Sequence, residues 1–174
     1  QYYILKNEKR ENSMFISETL ELASIATVSD VMPLLKENRT AVKFLIKRVR
    51  NNQILNLGLK TLLEIGNFDT KNFTADDIGY KIGPILNASG RITTSESPTK
   101  LLISEDYSTC VLLANECIET NKKRQFMTKH LKDKVELDHS DNIHIKTYEK
   151  AHEGLIGIIA GNMCEETQKP SFVF

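Results

Sequence analysis

The sequence predicts an α/β chain that is mostly helical, with its strands gathered at the back. Three observations carry that expectation. Short segments of apolar residues recur at helical spacing between cap residues from Ser17 to Ile82. The stretch from Tyr107 to Leu137 contains neither Gly nor Pro and keeps helical spacing. Ile143–Tyr148 then alternates apolar and polar residues, and Lys169–Phe174 opens a second strand-like run. With 40% hydrophobic and 26% charged residues in 174, the composition is that of a globular chain of one domain or two small lobes.

Residues 1–16 are ambiguous: Tyr2–Leu5 fits a strand and Lys6–Asn12 a charged turn. Ser17 is the expected N-cap of a first helix whose buried face holds Leu20, Ala23 and Thr27, widened by Leu22, Ile25 and Ala26. Asp30 follows among Val28, Val31 and Met32, where a buried carboxylate is costly unless partnered. It either caps the turn before Pro33 or binds a metal.

Asn38 is the expected N-cap of a second helix with Ala41, Val42, Leu45, Ile46 and Val49 inside and Lys43, Lys47, Arg48 and Arg50 outside. A third runs from Leu55 to Ile65, with Gly66 as a left-handed stop. Thr74 with Asp77 forms a capping-box pattern, and Ile78 and Ile82 share the inner face beyond it.

Gly83-Pro84 should then break the helix and open a loop through Arg91. In that loop Gly90 would let backbone pass close to a bulky group, Asn87 would hydrogen-bond in both directions, and Arg91 would offer its fork to a phosphate or a carboxylate. Thr93–Pro98 reads as a polar connector and the residues after it as a short helix. The stretch 107–137 would make a helix about 45 Å long, polar in its second half, a bridge between lobes. Its Lys122, Lys123 and Arg124 face either a nucleic-acid groove or solvent. Asp138–Asn142 is a turn and His139 a surface residue. His152-Glu153, with Gly154 and Gly157, marks a loop-to-helix turn whose amides could meet an anion.

Lys+Arg and Asp+Glu are both 23, so the basic excess usual in nucleic-acid binders is absent, although a local basic groove is not excluded. The three cysteines, Cys110, Cys117 and Cys164, lack paired spacing and fit reduced thiols of a cytoplasmic protein, the first two in the core. No apolar run is long enough to span a membrane. The basic residues follow the short apolar start rather than precede it, unlike a secretion signal. The chain lacks an initiator Met and stops in a strand-like run, so a piece of a longer protein is expected.

Three stretches carry a family resemblance. Ile82–Ile92 contains G-P-I-L-N-A-S-G-R, Ala26–Leu34 reads A-T-V-S-D-V-M-P-L, and His152–Ala160 reads H-E-G-L-I-G-I-I-A. They resemble, in order, the G-P-x-L-N-A-A-G-R, G-T-V-A-D-V-V-P-L and H-x-G-V-x-G-I-V-A motifs of the RecJ exonucleases of the DHH phosphoesterase superfamily. The resemblance covers residues 17–174. It implies a 5′-to-3′ exonuclease for single-stranded DNA in DNA repair and recombination, dependent on Mn2+ or Mg2+. It implies that residues 1–92 end a DHH-type catalytic lobe, 93–137 connect, and 138–174 begin a DHHA1-type lobe. Asp30 would be a metal ligand, with Thr27 and Ser29 orienting it. Arg91 would contact the DNA backbone near the scissile phosphate, Asn87 and Gly90 would shape that loop, and His152 would belong to the substrate-binding lobe.

The chain departs from the family's pattern at Ile85 and Asn162, where basic residues are common, at Ala151 for Trp and at Ser89 for Ala. It contains no Asp-His-His and no Asp-x-Asp, so most ligands would lie outside it and the piece alone would be inactive. Two other readings share the fold: a DHH phosphoesterase for short oligonucleotides or cyclic dinucleotides, and a non-catalytic scaffold.

Overall fold

A computed structural model of the chain describes residues 13–133, 142–149 and 151–174. The strand expected at Tyr2–Leu5, the turn at Lys6–Asn12, and His139 lie outside the described residues. Seven α-helices precede the sheet among those described: α1 (Ser13–Ser29), α2 (Lys36–Arg50), α3 (Leu57–Ile65), α4 (Ala75–Asp77), α5 (Gly83–Ile92), α6 (Ser97–Ile103) and α7 (Tyr107–Lys132). A π-helical turn, Ile78–Ile82, joins α4 to α5. β1 (His144–Lys146), α8 (Glu153–Thr167) and β2 (Ser171–Val173) complete the fold. The class is the expected one, a mostly helical α/β chain.

The first helix already runs at Ser13, four residues before the expected cap. Its buried side is Glu21, Ser24 and Ile25, while Ala23 and Ala26 face solvent, so the stripe is turned from the expected one. The physical reason is Glu21. It is fully buried because Arg48 Nε donates to it at 2.6 Å and the amides of Leu55 and Asn56 at 3.0 Å. A charge so satisfied can enter a core.

The N-cap of α2 is Leu35, and Asn38 instead donates to the Pro33 carbonyl at 3.0 Å. Asn56 caps α3 by accepting from the Leu59 amide at 2.8 Å. After α3 the left-handed residue is Asn67 (φ 55), not Gly66. Gly66 is there for space: a Cβ would sit 2.5 Å from the Phe68 ring. The capping box at Thr74 and Asp77 forms as expected.

Helix α7 buries Cys110, Ala114, Cys117 and Asn121 as a seam at i, i+4, i+7 and i+11. Both cysteines are core residues, and burial pushes the Cys117 thiol up to about 11. The helix serves two cores. Its first half packs with α3 and α5 in the main cluster, around Leu45, Leu62, Phe73 and Ile78. Leu131, near its end, packs on a smaller cluster of Ile159, Met163 and Val173.

β1 and β2 pair in parallel, with His144 opposite Ser171 and Lys146 opposite Val173, and α8 makes the crossover. The alternation is real but its faces are reversed. His144 is 2% exposed while Ile143 and Ile145 are 52% and 65% exposed. Helix α8 lies on the His144–Val173 face, which leaves Ile145 and Phe172 together on the open one.

Candidate functional site

Gly83-Pro84 does not open a loop. The Gly83 amide donates to the Ile78 carbonyl, five residues back, and the chain continues directly into α5. A proline inside an α-helix clashes with the carbonyl four residues earlier and deletes a donor. The wider π turn moves that carbonyl aside and absorbs the missing hydrogen bond, so the motif folds as a helix.

Gly83 is required for packing: a Cβ there would lie 2.7 Å from Ser29 Oγ. The start of α5 is thereby pressed against the end of α1. Ile85, Ala88, Ser89 and Ile92 face inward. Asn87, Gly90 and Arg91 face out, with Asn87 and Arg91 one turn apart on one side. Gly90 approaches nothing, since a Cβ would meet no atom within 4 Å, so its expected close contact is absent.

Asp30 follows Ser29, the α1 residue that lies against Gly83. It is the C-cap residue of α1, and Val31 takes a left-handed conformation (φ 55) immediately after it. The Met32 amide reaches back to the Thr27 carbonyl and the Val31 amide to that of Val28, both at 3.0 Å, which is a Schellman ending. Val in that conformation is strained, because its branched side chain crowds the backbone.

The Asp30 carboxylate is exposed rather than buried, and among the described residues it has no hydrogen bond or ion pair. The turn-capping alternative thus has no donor to support it. Thr27 Oγ1 donates to the Ala23 carbonyl at 2.8 Å, and Ser29 Oγ is buried without a partner, so neither hydroxyl orients Asp30. A cleft of about 300 Å³ opens beside it, lined by Val28, Ser29, Met32, Asp76 and Tyr80. No group of three or more His, Cys, Asp or Glu side chains able to hold a metal exists among the described residues. Asp30 offers one hard oxygen ligand; the described residues alone do not make up a cation site.

At the far end of α5, about 12 Å along its axis from Gly83, Arg91 meets the start of α8. Arg91 Nη1 donates to the Gly154 carbonyl at 3.4 Å. Gly154 permits the approach, since a Cβ would fall 1.9 Å from the Arg91 carbonyl oxygen. His152 is the N-cap of α8, its Nδ1 accepting from the Gly154 amide at 3.2 Å. The fold thus brings Arg91 to the start of α8, which His152 caps, while Asp30 follows the end of α1 that packs on the other end of α5. No carboxylate lies within ion-pair distance of Arg91 among the described residues, so the alternative of an Arg91–Glu pair finds no partner there.

One residue of the site was obscured in the sequence by its neighbours. Lys122 is exposed and pairs with Glu119 at 2.7 Å, but Arg124 is half-buried. Its Nε donates at 3.0 Å to Oδ1 of Asn121, which is 8% exposed. Burial and then the charge of Arg91 hold the Arg124 guanidinium below its ordinary pKa. The signal available in the sequence was the step of three from Asn121 to Arg124 along the buried seam of α7.

Comparison with known proteins matches this geometry to one group. The chain is 32% identical to the single-stranded-DNA-specific exonuclease RecJ of Bacillus subtilis over 161 residues, 90% of this chain and 20% of that protein. It is 29% identical to the Escherichia coli enzyme of that name over 168 residues, 91% of this chain and 29% of the relative. The chain is RecJ-like. The crystal structure of Thermus thermophilus RecJ in complex with Mg2+ matches 90% of the chain with a TM-score of 0.82 at 27% identity, and this chain covers 25% of it. An exonuclease RecJ bound to manganese matches with a TM-score of 0.79 at 27% identity. No protein-family model matches the chain. The chain spans 20% to 31% of the length of the curated RecJ relatives it matches. Among the described residues no helix is long and apolar enough to cross a membrane.

Proposed function

We propose that this chain is a segment of a RecJ-type exonuclease that degrades single-stranded DNA from the 5′ end in repair and recombination, in the cytoplasm. The observation that carries the proposal is the single exposed face of α5. It ends in Arg91, a guanidinium without a carboxylate partner among the described residues, and the start of α5 packs on the end of α1, where the Asp30 carboxylate is exposed, within a fold that aligns with RecJ over 90% of this chain. A phosphodiesterase needs a hard-cation ligand and a phosphate contact along one path. Residues 1–92 are read as the end of a DHH-type catalytic lobe, 93–137 as the connector, and 138–174 as the start of a DHHA1-type lobe.

Asp30 serves as one ligand for Mn2+ or Mg2+, the remaining ligands coming from parts of the protein that this chain does not span. Such an ion, when bound, would supply an activated water and charge neutralisation at a phosphate. Arg91 holds the backbone of the strand, Asn87 lies one turn before it on the same face, and Gly90 keeps that face open. His152 caps α8 and keeps its amide end beside Arg91.

The test is degradation of a 5′-phosphorylated single strand by the full-length protein with Mn2+. Loss of activity in Asp30→Asn, with the fold intact by circular dichroism, is the expected result. Undiminished activity in Asp30→Asn overturns the ligand role. Full-length protein that leaves single strands intact in the presence of Mn2+ overturns the exonuclease reading. The 174-residue chain alone is expected to show no nuclease activity.

A further inference from the structure

We infer that α2 carries a cationic edge that tracks the phosphates of a nucleic-acid duplex, outside the cleft beside Asp30. The inference goes beyond the single-strand reading above, because it assigns a second surface and a second form of nucleic acid.

Helix α2 holds six basic residues and one acid among its fifteen, in a chain whose net charge is zero. At about 3.6 residues per turn, Lys36, Arg39, Lys43, Lys47 and Arg50 fall within a stripe about 80° wide. All five are exposed, while Val42, Leu45 and Val49 are buried on another side of the helix. Arg48 lies outside the row, paired with Glu21, and Glu37, the one acid, stands about a quarter-turn from Lys36. Among the described residues none of the five has an ion-pair partner, and only Arg50 has a side-chain hydrogen bond, from Nε to the Phe73 carbonyl at 2.9 Å. The row is about 21 Å long, with about one cation per helical turn.

Helix-end chemistry accounts for part of the row only. Lys47 and Arg50 lie in the last turn, where cations offset the helix dipole. Lys36 stands at the opposite, positive end, and its backbone is left-handed (φ 43). Arg48 meets Glu21 in the middle of α1, so α2 runs back along α1 and the row leads away from the turn that follows Asp30. No aromatic side chain shares the stripe; Phe44, the one aromatic residue of α2, is half-buried with Arg48 over its ring at 5.3 Å. Single-strand surfaces combine a basic groove with aromatic platforms on which bases stack. A straight row of cations without such a platform meets backbone alone, and its best match is the stiff, densely charged phosphate line of a duplex.

The experiment is titration of a fluorescein-labelled blunt duplex with the full-length protein over a range of salt, in EDTA so that no cleavage occurs. Each phosphate contact on a duplex contributes about 0.9 to the slope of log K against log salt. The combined variant Arg39→Gln, Lys43→Gln, Lys47→Gln is expected to lower that slope by about 2.7. Lys43→Arg with Lys47→Arg keeps the charges and should keep the slope. Lys100→Gln, which loses an exposed charge already paired with Glu96, should leave it unchanged. Circular dichroism checks that each variant is folded. With Mn2+ restored, the triple variant should degrade a free single strand at the unmodified rate.

An unchanged duplex slope in the folded triple variant overturns the inference. So does absence of duplex binding by the unmodified protein even at low salt, which leaves the nuclease reading to its separate test with Asp30→Asn. A loss of oligo-dT binding in the triple variant as large as the loss of duplex binding overturns the duplex assignment. Poly-glutamate bound with the same dependence on the three residues overturns the nucleic-acid assignment.

Discussion

Replacing Glu21 by Ala should be among the most damaging single changes in the helical part of the chain. Its carboxylate accepts from Arg48 Nε at 2.6 Å, from the Leu55 amide at 3.0 and 3.1 Å, and from the Asn56 amide at 3.0 Å. The consequences spread through Asn56. That side chain caps α3, and its Nδ2 donates to Glu18 at 3.0 Å and to the Leu102 carbonyl at 2.8 Å. Glu21→Ala leaves a cation and two amides without their acceptor.

Removing one partner of a buried pair costs about 3–5 kcal/mol. Arg48 lowers that toward the smaller figure, because its side chain keeps 19% exposure, donates to the Gln53 carbonyl and lies 5.3 Å from the Phe44 ring centre. For a chain of this size each kcal/mol shifts Tm by about 2–4 °C, so a fall of roughly 6–12 °C is expected. Glu21→Gln keeps the shape and one acceptor, and should cost about half as much. Urea and thermal unfolding followed by circular dichroism measure both. A loss under about 1 kcal/mol for Glu21→Ala refutes the reasoning, since it means that water or another group reaches the three donors. Adding Arg48→Met to Glu21→Ala should recover part of the loss.

Val31→Gly should stabilise the chain by about 0.5–1 kcal/mol, seen as a rise in Tm, because it relieves a branched residue at φ 55; a fall in Tm would show that the exposed valine is held by contacts. Gly154→Ala should lower Tm and loosen the α5–α8 junction, since its Cβ would lie 1.9 Å from the Arg91 carbonyl, whereas Gly90→Ala, with nothing within 4 Å, should raise helix stability. Glu116 accepts from Ser97 Oγ at 2.6 Å and Ser95 Oγ at 2.8 Å, the Ser97 bond foremost in holding its pKa below the usual 4.5. A lowered folded-state pKa means that this contribution is complete above the usual value and fades as pH falls below it, so Glu116→Gln should flatten the acid side of a Tm–pH curve.

Local signals were legible where local chemistry decided the structure. The Thr74–Asp77 box, the cysteines of the α7 seam and the two short strands near the end all formed from residues that announce themselves. The errors share a cause: each was decided by a partner distant in sequence or by a rarer backbone. Glu21 sits in a helix whose apolar residues point several ways, and only Arg48 and the 55–56 amides settle which side goes in. The faces of β1 follow from where α8 lies, which alternation alone does not specify. Gly83-Pro84 reads as a break unless the π turn before it is foreseen, and that turn has no short-range signature.

Some of the places where the chain breaks local rules lie near the two ends of α5, although left-handed backbone also occurs at Lys36, Asn52, Asn67 and Gln168. Asp30 puts a negative charge at the negative end of α1, Val31 takes a conformation suited to glycine, and Arg91 and Arg124 share a corner without an acid. Other charged groups are matched, as Glu21 is by Arg48, Asp77 by Lys81 and Thr74, and Glu116 by two serines. Asp30 follows the end of α1 that packs on Gly83, and Arg91 stands near the other end of α5; neither side chain has an ion-pair partner among the described residues. A cation at Asp30 and an anion at Arg91 would each offset a charge that the described residues leave without an ion pair, which is why the two variants Asp30→Asn and Arg91→Gln test the proposed function separately.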